Sequence, residues 1–224
     1  MPEDLLEKGA IIQRDKETYA IAPHIPGGII TDFNLLRRLA DVAEKYGVKA
    51  MKLTSAQRIA LVGLKLEDLD QVWQELGMAP GAAIGLCVRS IKICPGTTFC
   101  RIGMQDAVGV GLQLDEKYHG LPLPFKFKIG VSGCPNNCSE SVIKDLGLVG
   151  APKGWRVLAG GFASGLKPRL ADTIAADLTD AEALDLAEKV VEWYKEKNQK
   201  KRLGRIIDDI GLAAFKAELG LAAV

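Results

Sequence analysis

Four of the five cysteines fall in two tight pairs, and those pairs constrain the chain more than any other feature. The first pair is Cys94-Pro95-Gly96-Thr97-Thr98-Phe99-Cys100; the second is Cys134-Pro135-Asn136-Asn137-Cys138. Four soft thiolates converging on one point suit an iron–sulfur cluster or a zinc ion. Structural zinc most often uses C-x2-C pairs. The spacings here are C-x5-C and C-x3-C, and the wider first pair fits a cubane, whose irons sit at separate corners. Each pair reads as the end of a strand, at a turn with proline, before a helix. Such turns offer backbone N–H groups to an anionic cluster and its sulfurs. The fifth cysteine, Cys87, lies in the apolar stretch Ala83-Ile84-Gly85-Leu86-Cys87-Val88 and reads as a small buried hydrophobe.

Composition narrows the setting. Hydrophobic residues make up 48% and charged residues 25% of 224 positions, ordinary values for a globular protein with ample core. A net charge of +1 argues against a general nucleic-acid binder, which carries a clear basic excess. The N-terminal MPEDLLEKGA is too polar for a signal peptide, and no apolar run approaches a membrane span. We therefore expect a cytoplasmic protein, where clustered cysteines more often bind metal than form disulfides.

The chain reads as α+β, with a first domain over 1–80 and a second over 81–224. Tyr19 to Ala22 is a short strand. A helix follows from about Phe33 to Tyr46, with Leu35, Leu39, Val42 and Tyr46 at helical spacing and Gly47 as its stop. Lys49 to Thr54 and Arg58 to Leu64 are strands, and Glu67 to Leu76 is a second amphipathic helix. Gly77 to Gly85 resembles a linker. Arg89 to Ile93 is a strand leading into the first cysteine pair, Gly103 to Tyr118 a helix, and Phe125 to Val131 a strand leading into the second pair. Strands near Gly147 to Gly150 and Trp155 to Leu158 follow. Thr179 caps a long helix from Ala181 to Lys197, and a last helix runs through Ile206, Ile207 and Ile210. The basic turn Lys200-Lys201-Arg202 suits an acidic docking partner, or is simply an exposed helix end.

A second chemical signal precedes the second cysteine pair. In Pro124-Phe125-Lys126-Phe127-Lys128-Ile129 the two lysines alternate with apolar residues, so both point to one strand face. Two ammonium groups beside a metal site suggest an anion; a solvated edge face is the plainer alternative. Lys49, Lys52, Arg58 and Lys65 fall in a stretch where acidic residues are absent, a segregation of charge that suits a polyanionic cofactor.

C-x5-C followed by Ser132-Gly133-Cys134-Pro135-Asn136-Asn137-Cys138 resembles the siroheme-containing sulfite and nitrite reductases. The likeness continues in Ile25-Pro26-Gly27-Gly28, in Leu53-Thr54-Ser55-Ala56-Gln57-Arg58, in the segments flanking Cys94 and Cys100, in Lys126-Phe127-Lys128, and in Lys144-Asp145-Leu146-Gly147. It implies a ferredoxin-like half-domain followed by an α/β siroheme and 4Fe-4S reductase domain. It implies a 4Fe-4S cluster on Cys94, Cys100, Cys134 and Cys138, with Cys138 also the proximal ligand of the siroheme iron. Arg89, Lys126 and Lys128 would neutralise the oxyanion substrate and help deliver protons; Arg58 and Arg101 would pair with siroheme carboxylates. The implied reaction is the six-electron reduction of sulfite to sulfide, with nitrite to ammonia as second choice.

Two departures bear on that expectation. His24 stands where the longer enzymes have an arginine before P-G-G, and Ala56 takes the place of another arginine. The longer enzymes also carry two copies of the domain pair with the siroheme between them, whereas this chain has one and resembles the small assimilatory-type sulfite reductases. A homodimer or a partner chain is therefore expected to complete the site. The dinucleotide fingerprint G-x-G-x-x-G is absent, so electrons should come from a separate carrier such as a ferredoxin. The rival reading is a non-catalytic electron-transfer or assembly subunit that holds only the cluster.

Overall fold

The computed structural model describes residues 3–221. The chain divides into two compact units, one ending at Gly85 and the next beginning at Leu86. The first unit contains β1 (Ala10–Ile12), β2 (Tyr19–Ile21), α1 (Asn34–Lys45), β3 (Ala50–Leu53), β4 (Ile59–Leu64) and α2 (Leu69–Leu76). Its strands form an antiparallel sheet in the order β1-β2-β4-β3. The helical spacing does its expected work: Leu39 and Val42 of α1 pack with Leu69, Val72, Trp73 and Leu76 of α2 and with Ile21, Leu61 and Leu64 of the sheet. Gly77 ends α2 with a left-handed φ of 65°, a conformation that costs glycine nothing.

The second unit contains β5 (Val88–Ile93), α3 (Gly96–Phe99), α4 (Ala107–Tyr118), β6 (Phe127–Ser132), β7 (Leu146–Ala151), β8 (Gly154–Ala159), β9 (Asp172–Leu178), α5 (Asp180–Lys197), α6 (Leu203–Ile210) and α7 (Leu212–Glu218). Five strands make one sheet in sequence order. β5, β6 and β7 are parallel, and β8 and β9 complete the sheet antiparallel. Alternation sorts the parallel strands into two faces. Ile91, Ile93, Phe127, Ile129, Val131, Leu146 and Leu148 join the core with Val110 and Leu114 of α4 and Val190, Val191 and Tyr194 of α5. Gly111 lets α4 lie close to β5, because a Cβ there would sit 2.7 Å from Ile93. The other face carries Ser90, Lys92, Lys128, Gly130, Ser132 and Gly147.

Several elements depart from the sequence expectation. β1 is too short to show a period, and β9 is an irregular strand whose exposed polar residues hide its alternation. β6 starts at Phe127, so Lys126 lies just before the strand. α4 starts at Ala107, not Gly103: Asp106 caps it through the Gly109 N–H at 3.0 Å. α3 and α7 are additional short helices. The Lys200-Lys201-Arg202 turn is not uniformly exposed, because Arg202 is buried in an ion pair with Asp145.

Candidate redox and anion site

The two cysteine loops leave the sheet side by side. Ile93 pairs with Val131 at the carboxyl ends of β5 and β6, where the crevices of parallel sheets open. Cys94 follows β5 directly, and Cys134 follows β6 after Gly133. Cys94 and Cys134 are buried, Cys100 is half-buried and Cys138 is exposed. Cys87 is buried, in keeping with its reading as a small hydrophobe.

Backbone hydrogen bonds lock the loops together. The Gly133 N–H donates to Cys94 Sγ at 3.1 Å. The Gly133 carbonyl accepts from the N–H groups of Met104 and Gln105 at 2.8 and 3.0 Å. Glycines make this approach possible. A Cβ on Gly133 would lie 2.7 Å from both Gly96 Cα and the Gln105 carbonyl oxygen, and one on Gly103 would lie 2.5 Å from Gly96. Among the described residues, no three of the cysteine sulfurs lie within 4.8 Å of one another.

The segment after Cys138 folds onto the polar face of the sheet. Gly130 and Gly147 leave room for its backbone: a Cβ on Gly130 would meet Ser141 Cα at 3.0 Å and Lys144 Cγ at 2.9 Å, and one on Gly147 would strike the Ser141 carbonyl. Ser132 Oγ accepts the Ser139 N–H at 3.1 Å and bonds Ser141 Oγ at 2.9 Å. Ser139 Oγ, beside Cys138, is buried and without a hydrogen-bond partner among the described residues.

Basic groups gather on the same face. Lys128 is half-buried and lies within electrostatic reach of Lys144, Arg202, Asp145 and Arg89. Burial first, then the cations Lys144, Arg202 and Arg89, hold the Lys128 ammonium below the usual lysine range; Asp145 pulls the other way. Lys92 and Lys144 share one carboxylate, reaching Glu140 at 3.1 and 3.0 Å. Two lysines on one acid keep Glu140 below its ordinary value, Lys144 having the larger effect. Lys92, Lys128, Lys144 and Arg202 thus gather with Arg89 near Glu140 and Asp145, a concentration of positive charge suited to an anion. Lys126 lies apart from this network in its contacts, with its ammonium 5.7 Å above the Phe125 ring. Lys92 and Lys144 fall in segments that carry the family resemblance and Arg202 in a basic turn, but nothing in the sequence assigned them to Lys128; that relation arises only when β5, the loop before β7 and the turn before α6 come together.

Arg101 is exposed next to Cys100, among the exposed apolar side chains Phe99, Ile102 and Met104. In the first unit Arg58 is buried; its N–H donates to Thr54 Oγ1 at 3.1 Å. Arg58 lines a cavity of about 190 Å³ with Ile25, Gly28, Thr54 and Gln57. Gly28 has a φ of 67°, and a Cβ there would lie 2.7 Å from Gln57 Cβ. The P-G-G turn and the L-T-x-x-Q-R hairpin therefore pack directly on each other. Among the described residues, no helix is long and apolar enough to cross a membrane.

Comparison with known proteins bears on the family and the fold. Residues 84–223 match the family described as nitrite and sulphite reductase 4Fe-4S domain, and residues 11–79 match the nitrite/sulfite reductase ferredoxin-like half domain. An assimilatory-type sulfite reductase of Nitratidesulfovibrio vulgaris is 43% identical over 93% of this chain and 95% of its own length. The NAD(P)H nitrite reductase of Bacillus subtilis is 41% identical over 94% of this chain, which spans only 26% of that relative. Two solved structures speak for the fold. A dissimilatory sulfite reductase I superposes with a TM-score of 0.83 at 17% identity, over 92% of this chain and 70% of that one. The NirA protein of Mycobacterium tuberculosis gives 0.76 at 20% identity, over 90% and 39%. With both domain models matched in order and a full-length relative at this identity, the chain belongs to the nitrite and sulphite reductase family of oxidoreductases.

Proposed function

We propose that this chain is a siroheme- and 4Fe-4S-dependent reductase that takes sulfite to sulfide, with nitrite to ammonia as second substrate. The observation that carries the reading is the joining of two features on one pair of strands. β5 and β6 end in the two cysteine loops and carry, on one face, a half-buried lysine among cations. The likeness to an assimilatory-type sulfite reductase along nearly its whole length favours sulfite over nitrite.

Cys94, Cys100, Cys134 and Cys138 would hold the cluster. The donor chemistry fits: four thiolates on two loops that leave neighbouring strands, with a backbone N–H already aimed at one sulfur. The family resemblance assigns Cys138, which is exposed, as the thiolate that would be shared with siroheme. When bound, the siroheme and cluster together supply an iron for the substrate's sulfur or nitrogen and a route for six electrons. Arg89, Lys126 and Lys128 hold the oxyanion and neutralise its charge. Lys128, with its lowered proton affinity, gives up a proton more readily than an exposed lysine as an oxygen leaves as water. Arg101, exposed beside Cys100, would pair with a siroheme carboxylate. Electrons come from a separate carrier such as a ferredoxin.

The absorption spectrum of anaerobically purified protein tests this reading. Strong Soret and red bands from siroheme are expected above a broad cluster shoulder; reconstituted protein with the shoulder alone would support the cluster-only rival. Turnover with reduced methyl viologen on each anion then ranks sulfite against nitrite. Lys128→Ala should lower turnover and leave the cluster absorption intact. Loss of that absorption would make Lys128 structural.

A further inference from the structure

Asp145 is fully buried at the entry to β7. Its carboxylate accepts three hydrogen bonds from two distant segments. Arg202 donates from Nε to Oδ1 at 2.8 Å and from Nη2 to Oδ2 at 2.7 Å. The backbone N–H of Lys128 donates to Oδ2 at 2.8 Å. Arg202 is itself held: it precedes α6, and its guanidinium lies 5.4 Å above the Phe162 ring. The backbone of Lys128 is thus anchored to a side chain, and that side chain is clamped by a planar fork, a geometry that lysine cannot reproduce. Stability alone is a weak reason for such a pair, since a buried ion pair is commonly no better than apolar packing.

We propose that Asp145 and Arg202 are positioning residues for Lys128, which makes the entry to the C-terminal helices part of the anion site. The proposal rests on the reading of Lys128 as an anion-binding group. The charged groups facing Lys128 are Arg89 from β5, Lys144 and Asp145 from the loop before β7, and Arg202 from the turn before α6. Of these only Asp145 is negative. Its carboxylate therefore fixes the Lys128 backbone and also helps keep the ammonium protonated against burial and three cations.

The sign of the expected pH effect follows. Lys128 attracts an oxyanion only when protonated, so affinity falls as pH rises through its pKa. Asp145→Asn removes the opposing negative charge and moves that alkaline fall to lower pH, by roughly one unit. Lys144→Gln removes a cation and moves it to higher pH. Arg202→Lys keeps the charge and loses the fork; sulfite affinity should drop about tenfold with the alkaline fall near its native place.

The experiment is an equilibrium titration of the fully loaded enzyme with sulfite, followed by the optical shift rather than by turnover, from about pH 7.5 to pH 10, above the value of about 6 to which burial raises the Asp145 carboxyl. Lys128→Ala is the reference and should lose both affinity and the alkaline fall. If Lys128→Ala binds sulfite like the native enzyme, the anion-binding reading of Lys128 fails and takes the positioning proposal with it. If Lys128→Ala is impaired while Asp145→Asn and Arg202→Lys keep native affinity and pH dependence, the positioning proposal alone is overturned. Should Asp145→Asn fail to fold or load, Arg202→Lys and Lys144→Gln decide: native behaviour in both overturns it.

Discussion

Gly133 shows how much one missing side chain decides. Its N–H reaches Cys94 Sγ, its carbonyl takes two N–H groups from the first loop, and its Cα faces Gly96. Gly133→Ala would place a methyl 2.7 Å from two backbone atoms, and backbone yields far less readily than a flexible side chain. The loops would have to part, moving Cys94 away from Cys134. Reconstituted Gly133→Ala protein should therefore retain its circular dichroism but hold well under half the native iron and sulfide per chain. Native iron content would show that the loops can relax without cost to the cluster. The cysteine pairs were legible from spacing, as was a local excess of cations that includes Lys128. The glycines read only as turn residues, because spacing cannot tell which backbone will approach another. Arg202 was legible only as one of three basic residues in a turn. Its role depends on Asp145, 57 positions away, and periodicity carries no information over that distance.

At the level of elements, local pattern succeeded wherever one face was buried and the period was unbroken. α1, α2, α5, β4, β5 and β8 lie close to where the apolar spacing places them. It failed where tertiary contacts set the boundary: Gly103 packs against Gly96, so α4 cannot begin there, and β6 begins at Phe127 rather than Phe125. α5 is the clearest success, because its start is chemically marked. Thr179 Oγ1 accepts the Glu182 N–H at 3.3 Å, and Glu182 Oε2 accepts the Thr179 N–H at 2.9 Å, a closed capping box. Losing such a cap costs about 1 kcal/mol, which in a protein of this size lowers Tm by roughly 2–4 °C. Thr179→Ala should show that shift with unchanged cluster content, since α5 packs on the apolar face of the sheet, opposite Lys128. A shift beyond about 6 °C, or lost cluster, would mean that α5 supports the cysteine loops and not only the core.

For the whole chain the starting point is the pair of family matches, a ferredoxin-like half domain over residues 11–79 and a 4Fe-4S domain over residues 84–223. A relative of matching length exists in the assimilatory-type sulfite reductase, while the chain spans about a quarter of the Bacillus subtilis nitrite reductase. The family resemblance implies a siroheme that two such domain pairs would cover, and one pair is matched within these residues. Exposed apolar groups of the second unit agree with a surface in need of cover: Phe99, at 70% exposure, with Ile102 and Met104 beside Cys100. Isolated apolar residues on a surface need no explanation, but a cluster beside a metal-binding loop does. We therefore expect the loaded protein to be a dimer. Light scattering should give twice the 24.1 kDa chain mass, and the fraction of dimer should rise with siroheme content across partly loaded samples, because the cofactor would bury its second face against the partner. A monomer with one siroheme per chain would overturn this, and would mean that a single copy encloses enough of the cofactor to hold it alone.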